Sequence, residues 1–169
     1  LGSTGESAYL SLDEWQQVAE YTIKKVKLRV PVIIGISELT TSGAVNRAQY
    51  AQSIGADCVM VIPVSYWKLT EQEVYNHYKE ISDAITIPIM VYNNPATSGI
   101  DMLPELLVRM FEEIENVTMV KESSGDIQRM HKLYELSGQK LPFYNGSNPL
   151  ALEALYAGAS GWGTAAPNL

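Results

Sequence analysis

Val117-Thr118-Met119-Val120-Lys121-Glu122-Ser123-Ser124-Gly125-Asp126 is a short, largely apolar run that ends on a lysine and breaks into hydroxyl residues, a glycine and an acid. Its first part lacks the in/out alternation of a strand wetted on one face, and so reads as a strand covered on both sides. A helical pattern follows over 126–137. The same order recurs in both directions along the chain. Strands are expected at 30–36, 58–62, 87–92, 117–121, 141–144 and 161–165.

Between them, 13–27 sets Trp15, Val18, Ala19, Thr22, Ile23 and Val26 on one helical stripe. Thr70-Glu71-Gln72-Glu73 is a capping box that opens a helix running through Ile85. Helices are also expected over 101–113 and 148–157. Alternating strands and helices imply an α/β fold with a parallel sheet, either doubly wound or closed into a barrel. The short, even spacing favours the barrel. Gly2-Ser3-Thr4-Gly5-Glu6 lacks the spacing of a dinucleotide-binding turn.

A (β/α)8 barrel needs eight strands, and six are expected here. The chain is therefore read as a single catalytic barrel domain over 1–169, truncated at both ends, from the loop after strand two to just past strand eight. Such a piece would expose sheet edges and part of an apolar interior.

The 169 residues carry a net charge of −7 and only 18% charged side chains, with no Lys/Arg cluster, which argues against a nucleic-acid partner. Lys24-Lys25-Val26-Lys27 reads as the cationic last turn of a helix. The single cysteine, Cys58, lies in an apolar run and reads as a small buried hydrophobe. One cysteine permits no disulfide framework or Cys-based zinc site and suits a reducing cytoplasm. No apolar stretch approaches the length of a membrane span, and no signal peptide is evident.

Barrel active sites lie at the C-terminal ends of strands. Two of the expected strands end there on chemistry-bearing residues, Tyr92 and Lys121. A lysine buried beside apolar walls is expected to lose its charge and become a neutral amine able to attack a ketone. Equally open is a structural ion pair at the barrel mouth. Tyr92 could be a satisfied core residue, or a phenol shuttling the protons of an imine.

Three motifs in order sharpen this. They are Gly2-Ser3-Thr4-Gly5-Glu6, Tyr92-Asn93-Asn94-Pro95 with Gly99, and Val120-Lys121-Glu122-Ser123-Ser124-Gly125-Asp126. Together they resemble the dihydrodipicolinate synthase / N-acetylneuraminate lyase family of class I aldolases, over essentially the whole chain. The resemblance implies that Lys121 forms an imine with pyruvate or a related 2-oxo acid and that Tyr92 relays protons. It implies that Ser3 and Thr4 hold the carboxylate and complete the relay, and that Gly163 sits near the imine carbon. The loop Tyr144-Asn145-Gly146-Ser147 would line the floor. No metal or organic cofactor is expected, and the partners are a small aldehyde or sugar acid and other copies of the chain, in a tetramer.

The chain also departs from the family pattern. Thr97 stands where synthases proper carry an arginine for the aldehyde's carboxylate, which shifts the expectation toward a neutral or hydroxylated partner. In Pro63-Val64-Ser65-Tyr66-Trp67-Lys68 either Tyr66 or Ser65 occupies the place of a tyrosine lent between subunits. Ser3 and Thr4 could alternatively cap a helix. His77, His131 and Trp162 read as structural, with Trp162 packed on outer helices or narrowing the pocket. Three functions stay open: a Schiff-base aldolase or dehydratase acting on sugar acids, dihydrodipicolinate synthase activity itself, and a non-catalytic 2-oxo-acid binder.

Overall fold

The computed structural model describes residues 1–166. Six strands run in parallel in the order β1-β2-β3-β4-β5-β6, each hydrogen-bonded to its sequence neighbour. They are β1 (Ile33–Gly35), β2 (Cys58–Val61), β3 (Ile89–Asn93), β4 (Val117–Glu122), β5 (Phe143–Asn145) and β6 (Gly161–Trp162). This is a half-barrel of the (β/α)8 type, with helices on its outer face.

Helix α1 (Leu12–Val26) begins with Ser11 and Glu14 in a reciprocal capping box and ends with Lys24 and Lys25 in its last turn. Its buried Trp15 donates from the indole to the Gly35 carbonyl at 2.9 Å, tying the helix to β1. Helix α3 (Glu71–Asp83) opens on the Thr70/Glu73 box, a cap that contributes about 1 kcal/mol. Next come the short α4 (Pro95–Ser98), then α5 (Pro104–Glu113) and α6 (Ile127–Leu136). The expected helix over 148–157 resolves into a 3-10 turn, Asn148–Leu150, and α7 (Ala151–Tyr156).

Two helices lie outside the sequence expectation, the short α4 and the longer α2 (Thr41–Ser53). In α2 the reason is plain. Its buried face is Ala44, Arg47, Ala48 and Ala51, so small side chains and one arginine replace the large apolar stripe that marks the other helices. Helix α5 starts at Pro104 rather than at residue 101, because Pro104 occupies the first turn, where its missing N–H costs nothing. The first and last strands are shorter than expected. Trp162, on the outer side of β6, is 40% exposed, and α7 packs against that strand.

The core lies between strands and helices, with Ile34, Val59, Val61, Ile89, Val91, Val120 and Phe143 meeting Tyr78, Ile81, Leu107, Met110 and Met130. Cys58 is buried, as expected, and burial pushes its thiol up to about 12. His77 is half-buried, with Nδ1 3.0 Å from the Thr41 hydroxyl, and His131 is exposed. Among the described residues no helix is long and apolar enough to cross a membrane.

Candidate active site

The sheet register sets the site. Tyr92 pairs with Lys121, Lys121 with Tyr144, and Tyr144 with Gly161. Side chains of one lateral row share a face, and this row opens on the concave side. The next row, Asn93, Glu122, Asn145 and Trp162, therefore faces the other way.

The concave row lines a depression of about 720 Å³, shared with Ser3, Thr4, Met60, Met90, Gly146 and Gly163. Lys121 Nζ stands 4.4 Å from the centre of the Tyr92 ring. Lys121 is half-buried rather than sealed within apolar walls, because it faces an open mouth and the π-face of a tyrosine. Its stem is confined by glycines. A Cβ on Gly163 would lie 3.3 Å from Lys121 Cε. One on Gly146 would lie 3.0 Å from the same carbon and would collide with Ser123 Oγ at 1.7 Å.

Tyr92 is 5% exposed. Burial pushes its phenol up, yet the opposing influences prevail and its pKa is lowered. Foremost among these is the Asn94 amide, which donates to the phenol oxygen at 3.0 Å. The Lys121 charge and the Ser123 and Ser3 hydroxyls act in the same direction. The structure thus brings Ser3, Tyr92 and Lys121 to one place.

Ser3 and Thr4 do not cap a helix: Glu6, with φ of 53°, precedes the 3-10 turn Ser7–Tyr9 and makes no side-chain cap. Thr97 lies on α4 and borders an adjoining compartment of about 510 Å³ that also touches Ser3 and Tyr92. Tyr66 lines neither of these two depressions. It is 82% exposed and packs edge-to-face on Trp67 at 5.1 Å.

The outward row was not singled out from the sequence, although each of its polar members sits inside a quoted motif. Asn93, Glu122 and Asn145 are fully buried. Asn93 Nδ2 donates to Glu122 Oε2 at 2.9 Å, and the Ser124 N–H donates to Glu122 Oε1 at 2.6 Å. Asn93 Oδ1 accepts from the Met102 N–H at 3.1 Å. These bonds lock the loops after β3 and β4, and hence the residues on either side of Tyr92 and Lys121. The available signal was a polar residue directly after the last inward-facing residue of three successive strands.

Comparison with known proteins agrees with this architecture. A match to the dihydrodipicolinate synthetase family runs over residues 1–169. The chain is 35% identical over 160 residues to the 4-hydroxy-tetrahydrodipicolinate synthase of Clostridium perfringens, covering 95% of this chain and 55% of that protein. A solved Pseudomonas aeruginosa protein, provisionally named a dihydrodipicolinate synthetase, is 61% identical, with a TM-score of 0.98 over 99% of this chain and 58% of that one. YagE, a prophage protein of the dihydrodipicolinic acid synthase family from E. coli K12 solved in complex with pyruvate, is 28% identical. It matches with a TM-score of 0.93 over 99% of this chain and 57% of that one. The chain spans little more than half the length of these relatives.

Proposed function

The chain belongs to the dihydrodipicolinate synthetase family, and from that premise we propose that the whole protein is a Schiff-base lyase or synthase acting on pyruvate or a related 2-oxo acid. The observation that carries this reading is the position of Lys121 Nζ, 4.4 Å from the Tyr92 ring centre at the open end of the sheet.

In this reading the Lys121 amine attacks C2 of the 2-oxo acid, and the resulting carbinolamine loses water to give a protonated imine. The imine accepts the electron pair left when a proton leaves C3, and an enamine forms. The enamine carbon then attacks an aldehyde carbon, a C–C bond forms, and the aldehyde oxygen takes up a proton. Water finally releases the product from Lys121; cleavage is the reverse. Tyr92, with Ser3 beside it, moves protons on and off the carbinolamine oxygen. Ser3 and Thr4 hold the carboxylate, and Gly163 leaves room for the imine carbon. The covalent imine supplies the electron sink, so the chemistry calls on no metal or organic cofactor.

Thr97 supports a hydroxylated partner, because a threonine cannot form the bidentate clamp that an arginine gives a carboxylate. A second reading, 4-hydroxy-tetrahydrodipicolinate synthase activity, is favoured by the name of the Clostridium perfringens relative. A binder that senses a 2-oxo acid without turning it over is the third. The exposed Tyr66–Trp67 pair suits contact with a second copy in a cytoplasmic homotetramer.

The test is borohydride reduction of the full-length protein in the presence of pyruvate, followed by peptide mass mapping. An adduct on Lys121 is expected, and its absence sinks the imine reading. Turnover of aspartate semialdehyde compared with 2-keto-3-deoxy sugar acids separates the enzymatic readings. An adduct without turnover of either would favour the binder.

A further inference from the structure

The compartment beside the lysine pocket holds a charge pair, its arginine buried and its carboxylate half-buried, that the chemistry above does not use. Arg47, on α2, is 8% exposed and stacks 5.0 Å over the Trp15 ring. Its guanidinium is ion-paired with Glu38. Nη1 makes a long 3.4 Å hydrogen bond to the Ser37 carbonyl, and Nε is buried without a partner. Glu38 keeps 32% of its side chain exposed, and its Oε2 accepts from the Leu39 N–H at 3.3 Å.

Glu38 and Arg47 both line the 510 Å³ compartment, with Ser3, Tyr92 and Thr97. Ser3 and Tyr92 also border the lysine pocket. The compartment and the lysine pocket therefore meet at Ser3 and Tyr92.

A guanidinium sealed between an indole and the Ser37 carbonyl needs its counter-charge, so Arg47 fixes Glu38 in place. A carboxylate held this way presents acceptor lone pairs and no donor. It rewards hydroxyl groups and repels another carboxylate. Glu6 also lines the compartment, so two carboxylates stand there against one cationic side chain.

We propose that Glu38, positioned by Arg47, selects the second substrate, and that this substrate is a polyhydroxylated aldehyde (or the matching portion of a sugar acid) rather than a carboxylate-bearing aldehyde. The proposal rests on the imine reading of Lys121 for the reaction, while the binding preference stands on the compartment itself.

The test uses the full-length protein, with pyruvate saturating and glyceraldehyde or succinate semialdehyde varied. The wild type prefers glyceraldehyde. Glu38→Gln, which keeps an acceptor toward Arg47, raises the KM for glyceraldehyde about tenfold and narrows the preference over succinate semialdehyde. Glu38→Asp, which keeps the charge but withdraws it, falls between the two. Thermal unfolding of each variant confirms that it folds. An unchanged KM in folded Glu38→Gln, or a wild type that prefers the semialdehyde, overturns the proposal. Borohydride trapping reads the Lys121 proposal separately. If no adduct forms, saturation-transfer NMR of glyceraldehyde on wild type and Glu38→Gln still decides whether Glu38 binds it: a weaker signal in the variant supports the proposal, and equal signals overturn it.

Discussion

Lys121 and Tyr92 are register partners on adjacent parallel strands, and the lysine Nζ lies 4.4 Å from the centre of the tyrosine ring. Parallel pairing places the two side chains on one face at one level, so neither has to reach for the other. The contact is made through the ring face, which leaves the phenol oxygen to Asn94 at 3.0 Å. Amine and phenol thus sit side by side, each with its reactive atom free of the other.

The phenol's lowered pKa gives a pH-dependent prediction. Asn94 donates to the phenol oxygen and favours phenolate, so Asn94→Ala should return Tyr92 toward the ordinary tyrosine range. Where proton donation by the phenol is needed, activity falls as pH rises through the Tyr92 pKa. The alkaline fall in kcat/KM should therefore move to higher pH in Asn94→Ala. Tyr92→Phe should lower kcat by about 10²–10³-fold and abolish that limb. An alkaline limb that stays in place in both variants would assign it to another group.

Much of this site can be read from the sequence, because strands covered on both faces announce themselves as apolar runs and the residue that ends each run is conspicuous. Tyr92 and Lys121 stand out in this way. Helix α2 does not, since a buried face of alanines and Arg47 has the hydropathy of a surface segment. The Asn93–Glu122 contact was equally hidden. Whether a polar residue after a strand is sealed or wet depends on the register of its neighbour, which no single strand encodes. Glu38 and Arg47 meet only because α2 turns Arg47 back onto the Ser37–Glu38 loop, a tertiary fact.

The glycines around Lys121 should tolerate a methyl group unequally. On Gly163 the nearest atoms are Lys121 Cε at 3.3 Å and Cδ at 3.5 Å, part of a flexible side chain that can yield. Gly163→Ala should fold with a stability loss below about 1 kcal/mol but trap pyruvate more slowly, because the lysine is displaced. On Gly146 a methyl meets Ser123 Oγ at 1.7 Å and Cβ at 2.9 Å. Ser123 is tied by its N–H to the Asn93 carbonyl at 2.8 Å, so relief requires backbone movement. Gly146→Ala should cost about 1–3 kcal/mol in urea unfolding. Equal costs at the two positions would show that the lysine is held as tightly as Ser123.

Glu122 accepts from Asn93 Nδ2 through one oxygen and from the Ser124 N–H through the other. Both oxygens must therefore be acceptors. Glu122→Gln keeps the shape but turns one of them into an NH2 that faces a donor. With the site fully buried, the mismatch should cost about 1–3 kcal/mol of unfolding free energy. It should also loosen the loops that follow Tyr92 and Lys121, seen as faster amide exchange at Ser123 and Ser124. A variant as stable as the wild type would show that the two bonds to Glu122 add nothing to the stability of the fold.

Cys58 tests the inner face of β2, which it shares with Met60. Burial is the main reason its thiol is pushed up to about 12, with the neighbouring Asp57 charge adding to the rise and a Met90 backbone hydrogen bond opposing it. A group whose folded pKa is raised keeps its proton longer in the native state than in the unfolded chain. Its stabilising contribution is complete below the unfolded value of about 8.5 and is lost as pH climbs from there toward 12. Cys58 should therefore resist iodoacetamide at pH 8 in the folded protein and react on addition of denaturant, read on the peptide that carries it. Cys58→Ala should weaken the alkaline decline in stability relative to the wild type over the same interval. Rapid native-state labelling would show that β2 opens locally, because the structure gives a thiol 5% exposed no other route to solvent.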